Sequence, residues 1–288
     1  MAEVGDFDAA SFKEVDRRSY DLFARTWDRY SAALSGPFAP RLLEMAGVSP
    51  GQRALEVCCG TGVISRAAAA AVGPSGRVLG TDLTPGMIEV AREQAAAQGL
   101  RQAEFRVMDC EALELADGTF DVGLAMYPHF SDHRRALGEL HRVLRPGGRV
   151  AIGVGGGLAR SQPARPPLAL QLMNEIIARH QPEDPGGHPP NWAGPDPAAG
   201  LTAALAEAGF ADLRTASHTH PTRLASPEEA WDVWSMTSSP VRHRLSLLGP
   251  DEREAVRRDF LAAFAPHATP ENLERRGGAV YVAGRKPA

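Results

Sequence analysis

The stretch that decides the fold is Ala54-Leu-Glu-Val-Cys-Cys-Gly-Thr-Gly62. Its apolar half is typical of a buried strand, and its glycines are typical of a tight turn. The alanine-rich residues that follow, 63–72, predict a helix. A strand, a glycine turn and a helix in this order let a ligand approach the backbone and direct helix N–H groups at it. Nicotinamide and flavin enzymes use a similar turn, so the neighbouring segments must decide which ligand binds.

Acidic residues follow two of the strands that come after this unit. Asp82 lies about 20 residues beyond the turn, where an acid binds ribose hydroxyls in dinucleotide folds. Asp109-Cys110 follows the next strand. Alternating strands and helices predict a parallel sheet with helices on both faces and a ligand at the carboxyl ends of the strands. We predict strands at 53–58, 77–82, 103–108, 120–126 and 148–154, and helices at 63–72, 85–98 and 133–144.

In these elements the sequence resembles the class I S-adenosylmethionine-dependent methyltransferases, and more narrowly the branch related to ubiquinone and menaquinone biosynthesis methyltransferases. The resemblance is carried by Glu56 with its glycine turn, by Asp82, by Asp109-Cys110 and by Leu-Arg-Pro-Gly-Gly at 144–148. It implies an α/β fold, with a Rossmann-like doubly wound sheet that is mostly parallel with an antiparallel last strand. It also implies an N-terminal helical lid, a helical cap insertion, and S-adenosyl-L-methionine as cofactor with S-adenosyl-L-homocysteine as product.

The resemblance assigns each part of the cofactor to a residue type. Glu56 would meet the ammonium group, Asp82 the ribose hydroxyls, and Asp109 with the Cys110 N–H the adenine ring. The glycines would leave room for the amino-acid tail, and apolar side chains would pack against the adenine edges. The predicted cofactor-binding residues are Trp27, Tyr30, Glu56, Cys58, Gly60, Gly62, Asp82, Leu83, Met87, Asp109, Cys110 and Ala125.

Cys58 departs from the family pattern, because many relatives have glycine there. A residue with a Cβ must either keep φ negative or accept strain. A metal site at Cys58-Cys59 is excluded, because adjacent thiolates without a second Cys or His pair do not build a tetrahedral site. We therefore expect no metal, and expect both thiols to be small, buried and apolar.

Aromatic residues recur at helical spacing in the segment 12–34, which predicts an amphipathic helix. Two interpretations stay open. The helix simply packs on the body of the protein, or, as the resemblance implies, Trp27 and Tyr30 close over the cofactor and substrate. Tyr20 lies in the same stripe and is a candidate substrate-binding residue.

The loop after the fourth strand carries Tyr127 and His129. In the family this loop faces the reacting methyl group, so Tyr127 is a substrate-binding candidate. His129 is the catalytic candidate, because imidazole titrates near neutrality and could accept a proton. The alternative is that positioning alone suffices for methyl transfer.

Further substrate-binding candidates lie in the last third of the chain. A helix is predicted at 168–180, followed by a Pro- and Gly-rich loop at 181–199 that carries Trp192. A helix at 201–208, a strand at 213–217, a helical segment at 226–268 and a last strand at 277–283 complete the chain. Trp231 and Trp234 in the helical segment either line the acceptor site or lie in the core of the cap, since both face one side of a helix.

The predicted domain organisation follows these changes in composition. It consists of an N-terminal helical lid at 1–45, a cofactor-binding core at 46–160, a helix and substrate loop at 161–197, a continuation of the core at 198–225, a helical cap at 226–270, and a last core strand and tail at 271–288.

Composition limits the partners and the compartment. The 288 residues carry a formal net charge of −4, which argues against a nucleic-acid binder and a polybasic membrane-surface protein. The three cysteines lie inside the cofactor motifs rather than in a disulfide framework, which favours a reducing cytoplasm. We find no run of apolar residues long enough to insert into a bilayer and expect a soluble protein. The expected partner is a small-molecule acceptor, and a homodimer stays open.

The function predicted from the sequence is transfer of a methyl group to a small, partly apolar molecule, a natural-product scaffold or quinone-like precursor, chiefly by proximity and orientation. Such a role belongs to secondary metabolism. The alternatives are an NAD(P)-dependent oxidoreductase, or a relative that uses the same pocket for chemistry other than methyl transfer. A dehydrogenase would require a third glycine near Ser65 and gives no role to Asp109-Cys110. Whether O, N or C is methylated stays open.

Overall fold

The computed structural model describes residues 8–155, 166–180 and 193–288 of the chain. Its centre is a seven-stranded sheet with strand order β3-β2-β1-β4-β5-β7-β6. Neighbouring strands from β3 to β5 run parallel, and β7 runs antiparallel to both β5 and β6. The predicted sheet with an antiparallel last strand is therefore confirmed. The strands are β1 (Arg53–Val57), β2 (Arg77–Asp82), β3 (Ala103–Val107), β4 (Phe120–Met126), β5 (Leu144–Gly155), β6 (Ala211–Arg223) and β7 (Glu274–Arg285).

Helices cover both faces of the sheet and form a separate group at one end. On one face Leu42 and Ala68 pack against the strand residue Val78, and on the other Leu140 and Leu205 pack against Val150. The helices are α1 (Ala9–Leu34), α2 (Ala39–Ala46), α3 (Val63–Val72), α4 (Pro85–Ala97), α5 (His133–Val143), α6 (Leu168–His180), α7 (Pro197–Glu207), α8 (Pro227–Thr237), α9 (Ser239–Leu247) and α10 (Pro250–Phe264).

The helical group consists of α1, α6, α8, α9 and α10, and it has its own apolar core. Trp231 packs against Phe260 with ring centroids 5.5 Å apart, and Phe260 stacks on Phe264 at 5.3 Å. The opposite side of α1 contacts α4, where Asp21 accepts a hydrogen bond from the N–H of Gly86 at 2.9 Å. Helix α1 thus connects the helical group to the sheet domain.

Some predicted boundaries move. The irregular loop predicted to reach residue 199 ends earlier, because Asp196 caps α7 by accepting from the N–H groups of Ala198 and Ala199. The strand predicted at 213–217 extends over β6 because it pairs with β7 along its length. The segment predicted as helical at 226–268 contains three helices, divided where the N-cap residues Ser238 and Gly249 adopt extended backbone. No helix of the described residues could cross a membrane, by length and apolar character.

Candidate active site

A cavity of about 1140 Å³ lies at the carboxyl ends of the parallel strands. It sits where the order of strands reverses between β1 and β4, which is the position at which open α/β sheets bind ligands. The ends of β1, β2, β3 and β4 line it, and helix α1 and residues near the start of β7 close its sides. The sheet therefore brings the sequence motifs of four separate segments to one place.

The glycine turn after β1 has an unusual backbone. Gly60 and Gly62 have φ of 52° and 78°, and Cys58 has φ of 54°. A Cβ on Gly62 would lie 2.7 Å from the ring of Phe105, so both conformation and packing require glycine there. Cys58 therefore does not keep φ negative and accepts the strain instead, since positive φ is costly for a residue with a Cβ.

Asp82 is fixed to the glycine turn by backbone hydrogen bonds. One carboxylate oxygen accepts from the N–H of Gly60 at 2.8 Å, and the other accepts from the N–H of Thr84 at 3.0 Å. Burial raises the pKa of Asp82, while these hydrogen bonds lower it. A carboxylate has about four lone-pair sites, so Asp82 retains acceptors for hydroxyl groups in the cavity.

Glu56 is a buried carboxylate that lines the same cavity and is only 1% exposed. Its side chain accepts a short hydrogen bond from the hydroxyl of Ser65. Among the described residues it has no salt-bridge partner, and burial raises its pKa to about 8. A buried acid without a cationic partner, facing a cavity, fits the ammonium group of S-adenosylmethionine.

Asp109 and Glu111 are bound to the N-terminal helix by Lys13. The Lys13 ammonium lies 2.7 Å from Asp109 and 2.6 Å from Glu111, and all three residues line the cavity. Sequence reasoning missed Lys13. The signals that could have found it are its place at the start of the lid helix and the two acids after β3.

The aromatic stripe of α1 divides between the cavity and the helical group. Tyr20 and Trp27 line the cavity and meet edge to face, with ring centroids 5.6 Å apart. Tyr30 does not line it. Its hydroxyl lies 3.0 Å from a carboxylate oxygen of Asp232 on α8, because Tyr30 faces the helical group rather than the strand ends.

His129 lines the cavity and is held by an acid on α1. Its Nδ1 lies 3.3 Å from one oxygen of Asp16, and its ring meets the edge of Tyr20 at 5.6 Å. The other oxygen of Asp16 accepts from Arg242 at 2.7 Å and lies 2.8 Å from Nε2 of His243. Burial would raise the pKa of Asp16, but His129, His243 and Arg242 hold it well below its usual range.

Asp16 and Arg242 were also missed by sequence reasoning. They are 226 residues apart, and only tertiary packing brings them together. Arg242 is fully buried and lies 3.7 Å over the ring of Tyr20. The one local signal is the four-residue spacing of Asp16 and Tyr20 on the predicted helix.

The remaining substrate candidates lie in different environments. Trp231 is 7% exposed and packs inside the helical group, and Trp234 lies beside the guanidinium of Arg275 at 5.8 Å. Neither tryptophan lines the cavity. Their side of α8 faces α10 and β7 instead. Trp192 lies outside the described residues.

The other predicted cofactor residues can also be located. Leu83, Met87 and Cys110 line the cavity, and the sulfur of Cys110 lies 3.8 Å from that of Cys58. Ala125 is fully buried within β4 and does not line the cavity, because its side chain points into the core of the sheet domain. Tyr127 lines the cavity with φ of 53° and donates to the carbonyl of Gly278 at 3.3 Å.

Comparisons with known proteins agree on one family. Residues 54–148 match the family described as a methyltransferase domain. Over 284 residues the chain is 31% identical to nocamycin O-methyltransferase of Saccharothrix syringae, covering 93% of this chain and 98% of that protein. It is 32% identical over 176 residues to aklanonic acid methyltransferase DauC of Streptomyces sp. (strain C5), covering 60% and 80%.

Two further similarities fit the same picture. The chain is 35% identical over 147 residues to demethylmenaquinone methyltransferase of Bacillus cytotoxicus, covering 47% of this chain and 61% of that protein. The crystal structure of the YcgJ protein of Bacillus subtilis has a TM-score of 0.52 at 20% identity, covering 87% of this chain and 98% of that one. The similarity to the YcgJ structure shows the fold alone.

The chain therefore belongs to the class I S-adenosylmethionine-dependent methyltransferases. It is an enzyme that uses S-adenosylmethionine to methylate a small molecule, as predicted from the sequence. The oxidoreductase alternative is not favoured.

Proposed function

We propose that this enzyme methylates an oxygen atom of a mid-sized, partly apolar natural-product scaffold or quinone-like precursor. The observation that carries the proposal is the cavity of about 1140 Å³, which continues from the strand ends to Leu34, Pro166 and Thr237 beside the helical group. Ligand pockets commonly measure about 300–1,000 Å³, so this one has room for an acceptor beside the cofactor. The name nocamycin O-methyltransferase supports oxygen as the acceptor atom, and this name together with aklanonic acid methyltransferase supports a small-molecule scaffold.

The acidic end of the cavity would hold the cofactor. Glu56 would bind the ammonium group, Asp82 the ribose hydroxyls and Asp109 the adenine amino group. Leu83 and Met87 would pack on the adenine edges, and the backbone of Cys58, Gly60, Gly62 and Cys110, with the ring of Trp27, would surround the rest.

When bound, the cofactor supplies an electrophilic methyl group on a positively charged sulfur. The residues of the chain would contribute mainly position, because holding two reactants in line removes most of the entropic barrier. Tyr20 and Tyr127 line the space between the strand ends and the helical group, and would orient the acceptor. The lid at 1–45 and the cap at 226–270 would exclude water from it.

His129 would accept the proton of an acceptor hydroxyl. The contact of its Nδ1 with Asp16 supports this role, because an acid there fixes the tautomer that leaves Nε2 free to accept. Asp16 would be a positioning residue, itself fixed by Arg242 and His243.

We also propose that the enzyme acts in the cytoplasm. Its three cysteines are free, and the pair Cys58 and Cys110 lies within contact distance without a bond between the sulfurs. Reduced thiols this close are typical of a reducing compartment.

The test is turnover with methyl-labelled S-adenosylmethionine and two acceptors, a polycyclic aromatic carboxylic acid and a naphthalene diol. We expect S-adenosylhomocysteine to form together with a product whose labelled carbon has the chemical shift of a methoxy group. The variant Asp82→Ala is the matched blank. A label on carbon or nitrogen, or a rate with acceptor no higher than that of the Asp82→Ala blank, would contradict the proposal.

A further inference from the structure

Arg275 lies near the start of β7 and lines the part of the cavity away from Glu56 and Asp82. One of its terminal nitrogens lies 3.2 Å from where a Cβ on Gly277 would be, in the same space as the ring of Phe38. Its Nε is buried and has no hydrogen-bond partner among the described residues. The guanidinium of Arg275 therefore lines the cavity with an N–H donor that has no acceptor among the described residues.

The other cations that line the cavity are paired. Lys13 is bound to Asp109 and Glu111, while Arg17 and Arg276 pair with acids on their own elements. Among the described residues Arg275 has no carboxylate partner, and its guanidinium lies 5.8 Å from the ring of Trp234. This difference sets Arg275 apart from its neighbours along the same wall.

An unpaired cation in such a place costs stability. Burial lowers the pKa of Arg275, and the nearby Tyr127 only partly offsets this. Leaving a buried charge without a partner is strongly unfavourable, whereas a guanidinium that meets a carboxylate makes two parallel charge-assisted hydrogen bonds. A ligand with an anionic group would supply the partner that Arg275 lacks among the described residues.

The cavity is also electrically divided. The acids Glu56 and Asp82, near the ends of β1 and β2, suit a cationic cofactor, whereas Arg275 lies on β7, three strands along the sheet from β1. We propose that Arg275 is the acceptor-binding residue of this enzyme and that it recognises a carboxylate on the acceptor. This inference rests on the proposed function, because it names the class of acceptor that enters the same cavity.

The experiment compares two probes of equal shape, anthraquinone-2-carboxylate and anthraquinone-2-carboxamide. Calorimetry on the 288-residue chain saturated with S-adenosylhomocysteine gives the affinity of each. We expect the wild type to bind the carboxylate at least about tenfold more tightly, since hydrogen bonds between charged groups are the strong ones. Arg275→Gln should bring the two affinities together while binding of S-adenosylhomocysteine stays unchanged.

Arg276→Gln is the matched control, because Arg276 is exposed, adjacent in sequence and already paired with Glu274. It should keep the preference for the carboxylate. Arg275→Met adds a readout that needs no probe, since removing an unpaired charge from a half-buried position should leave the melting temperature equal or raise it. A structural role for Arg275 would lower it instead.

The inference is overturned if the wild type binds the two probes equally or binds neither, or if Arg275→Gln keeps the preference. Failure of the proposed function has another signature. In that case S-adenosylhomocysteine itself would not bind, or no labelled methyl group would be transferred to any acceptor, whatever residue stands at 275.

Discussion

Burial sets the ionisation of Glu56, which is 1% exposed and has no salt-bridge partner among the described residues. Its pKa of about 8 lies above the ordinary value of 4.5. Between these two pH values the folded protein keeps a proton that the unfolded chain has lost. The free energy of unfolding therefore falls as the pH rises through this window, because the folded state must either hold the proton or bury a charge.

We expect Glu56→Gln to remove this pH dependence. In the absence of ligand the variant should melt above the wild type at pH 8.5, and the difference should shrink towards pH 5. Its affinity for S-adenosylmethionine should fall by about 1.5–3 kcal/mol, the worth of a hydrogen bond between charged groups. In the wild type that affinity should rise from pH 6 to pH 8 as Glu56 ionises, and in the variant it should stay flat. Parallel melting curves across this range would show that Glu56 is not the group responsible.

Asp82 accepts hydrogen bonds from the glycine turn and is proposed to bind the ribose hydroxyls of the cofactor, and two variants test these roles. Asp82→Asn keeps the shape and one acceptor oxygen but removes the charge, so it should weaken binding of S-adenosylhomocysteine by about 1.5–3 kcal/mol. It should also lower the melting temperature, because the amide nitrogen would face one of the two backbone N–H groups that the carboxylate binds. Asp82→Ala should lose the same affinity and also some stability, because the N–H groups of Gly60 and Thr84 lose their acceptor. Unchanged affinity in calorimetry would remove Asp82 from the site.

Helix α8 illustrates that residue spacing within one helix does not predict what that helix packs against. The three-residue spacing of Trp231 and Trp234 allows either a cavity wall or a helical core. In the structure Trp231 packs against Phe260 of α10. This contact buries the indole ring in the core of the helical group, and no ligand is needed to cover it. The position of α10 decides between a cavity wall and a helical core, and the sequence of α8 alone does not predict that position.

Trp231→Ala should therefore act on stability. Truncation of a buried tryptophan costs about 3–5 kcal/mol, so the melting temperature should drop while the affinity for S-adenosylhomocysteine, measured well below melting, stays near that of the wild type. Trp234→Ala is the comparison, since that ring is half-buried and should cost less. If Trp231→Ala weakened acceptor binding at unchanged stability, its placement in the core of the helical group would be contradicted.

Helix α1 is the element that we expect to respond to the cofactor. Lys13 joins it to Asp109 and Glu111 at the part of the cavity where we propose that the adenine binds. Limited proteolysis should cut the segment 12–34 more slowly when S-adenosylmethionine is present. Lys13→Met should raise the rate of cleavage without ligand, whereas Arg18→Met, on an exposed position of the same helix, should not. Equal rates with and without ligand would make α1 an ordinary packed helix.

At the scale of the whole molecule, the sequence predicted the sheet, the order of strands and helices along the chain, and most of the residues at the strand ends that line the cavity. These features depend on local signals, since a glycine turn or an acid at a strand end has the same meaning wherever the chain places it. The cavity residues outside the strand ends were predicted less well. Asp16, Arg242 and Arg275 come from distant segments, and their contacts arise only when the helical group packs on α1.

Helix α1 supplies cavity-lining side chains and is also tied to the sheet domain by ion pairs such as Lys13 with Asp109. Exchange of a spent cofactor for a fresh one would require those pairs to open and close in every cycle. Dissolved salt screens partly exposed charges over roughly 8–10 Å. Raising the ionic strength should therefore weaken cofactor retention and, where release limits the rate, increase kcat. The charges on one helix would then make the turnover of this enzyme depend on the salt content of its surroundings.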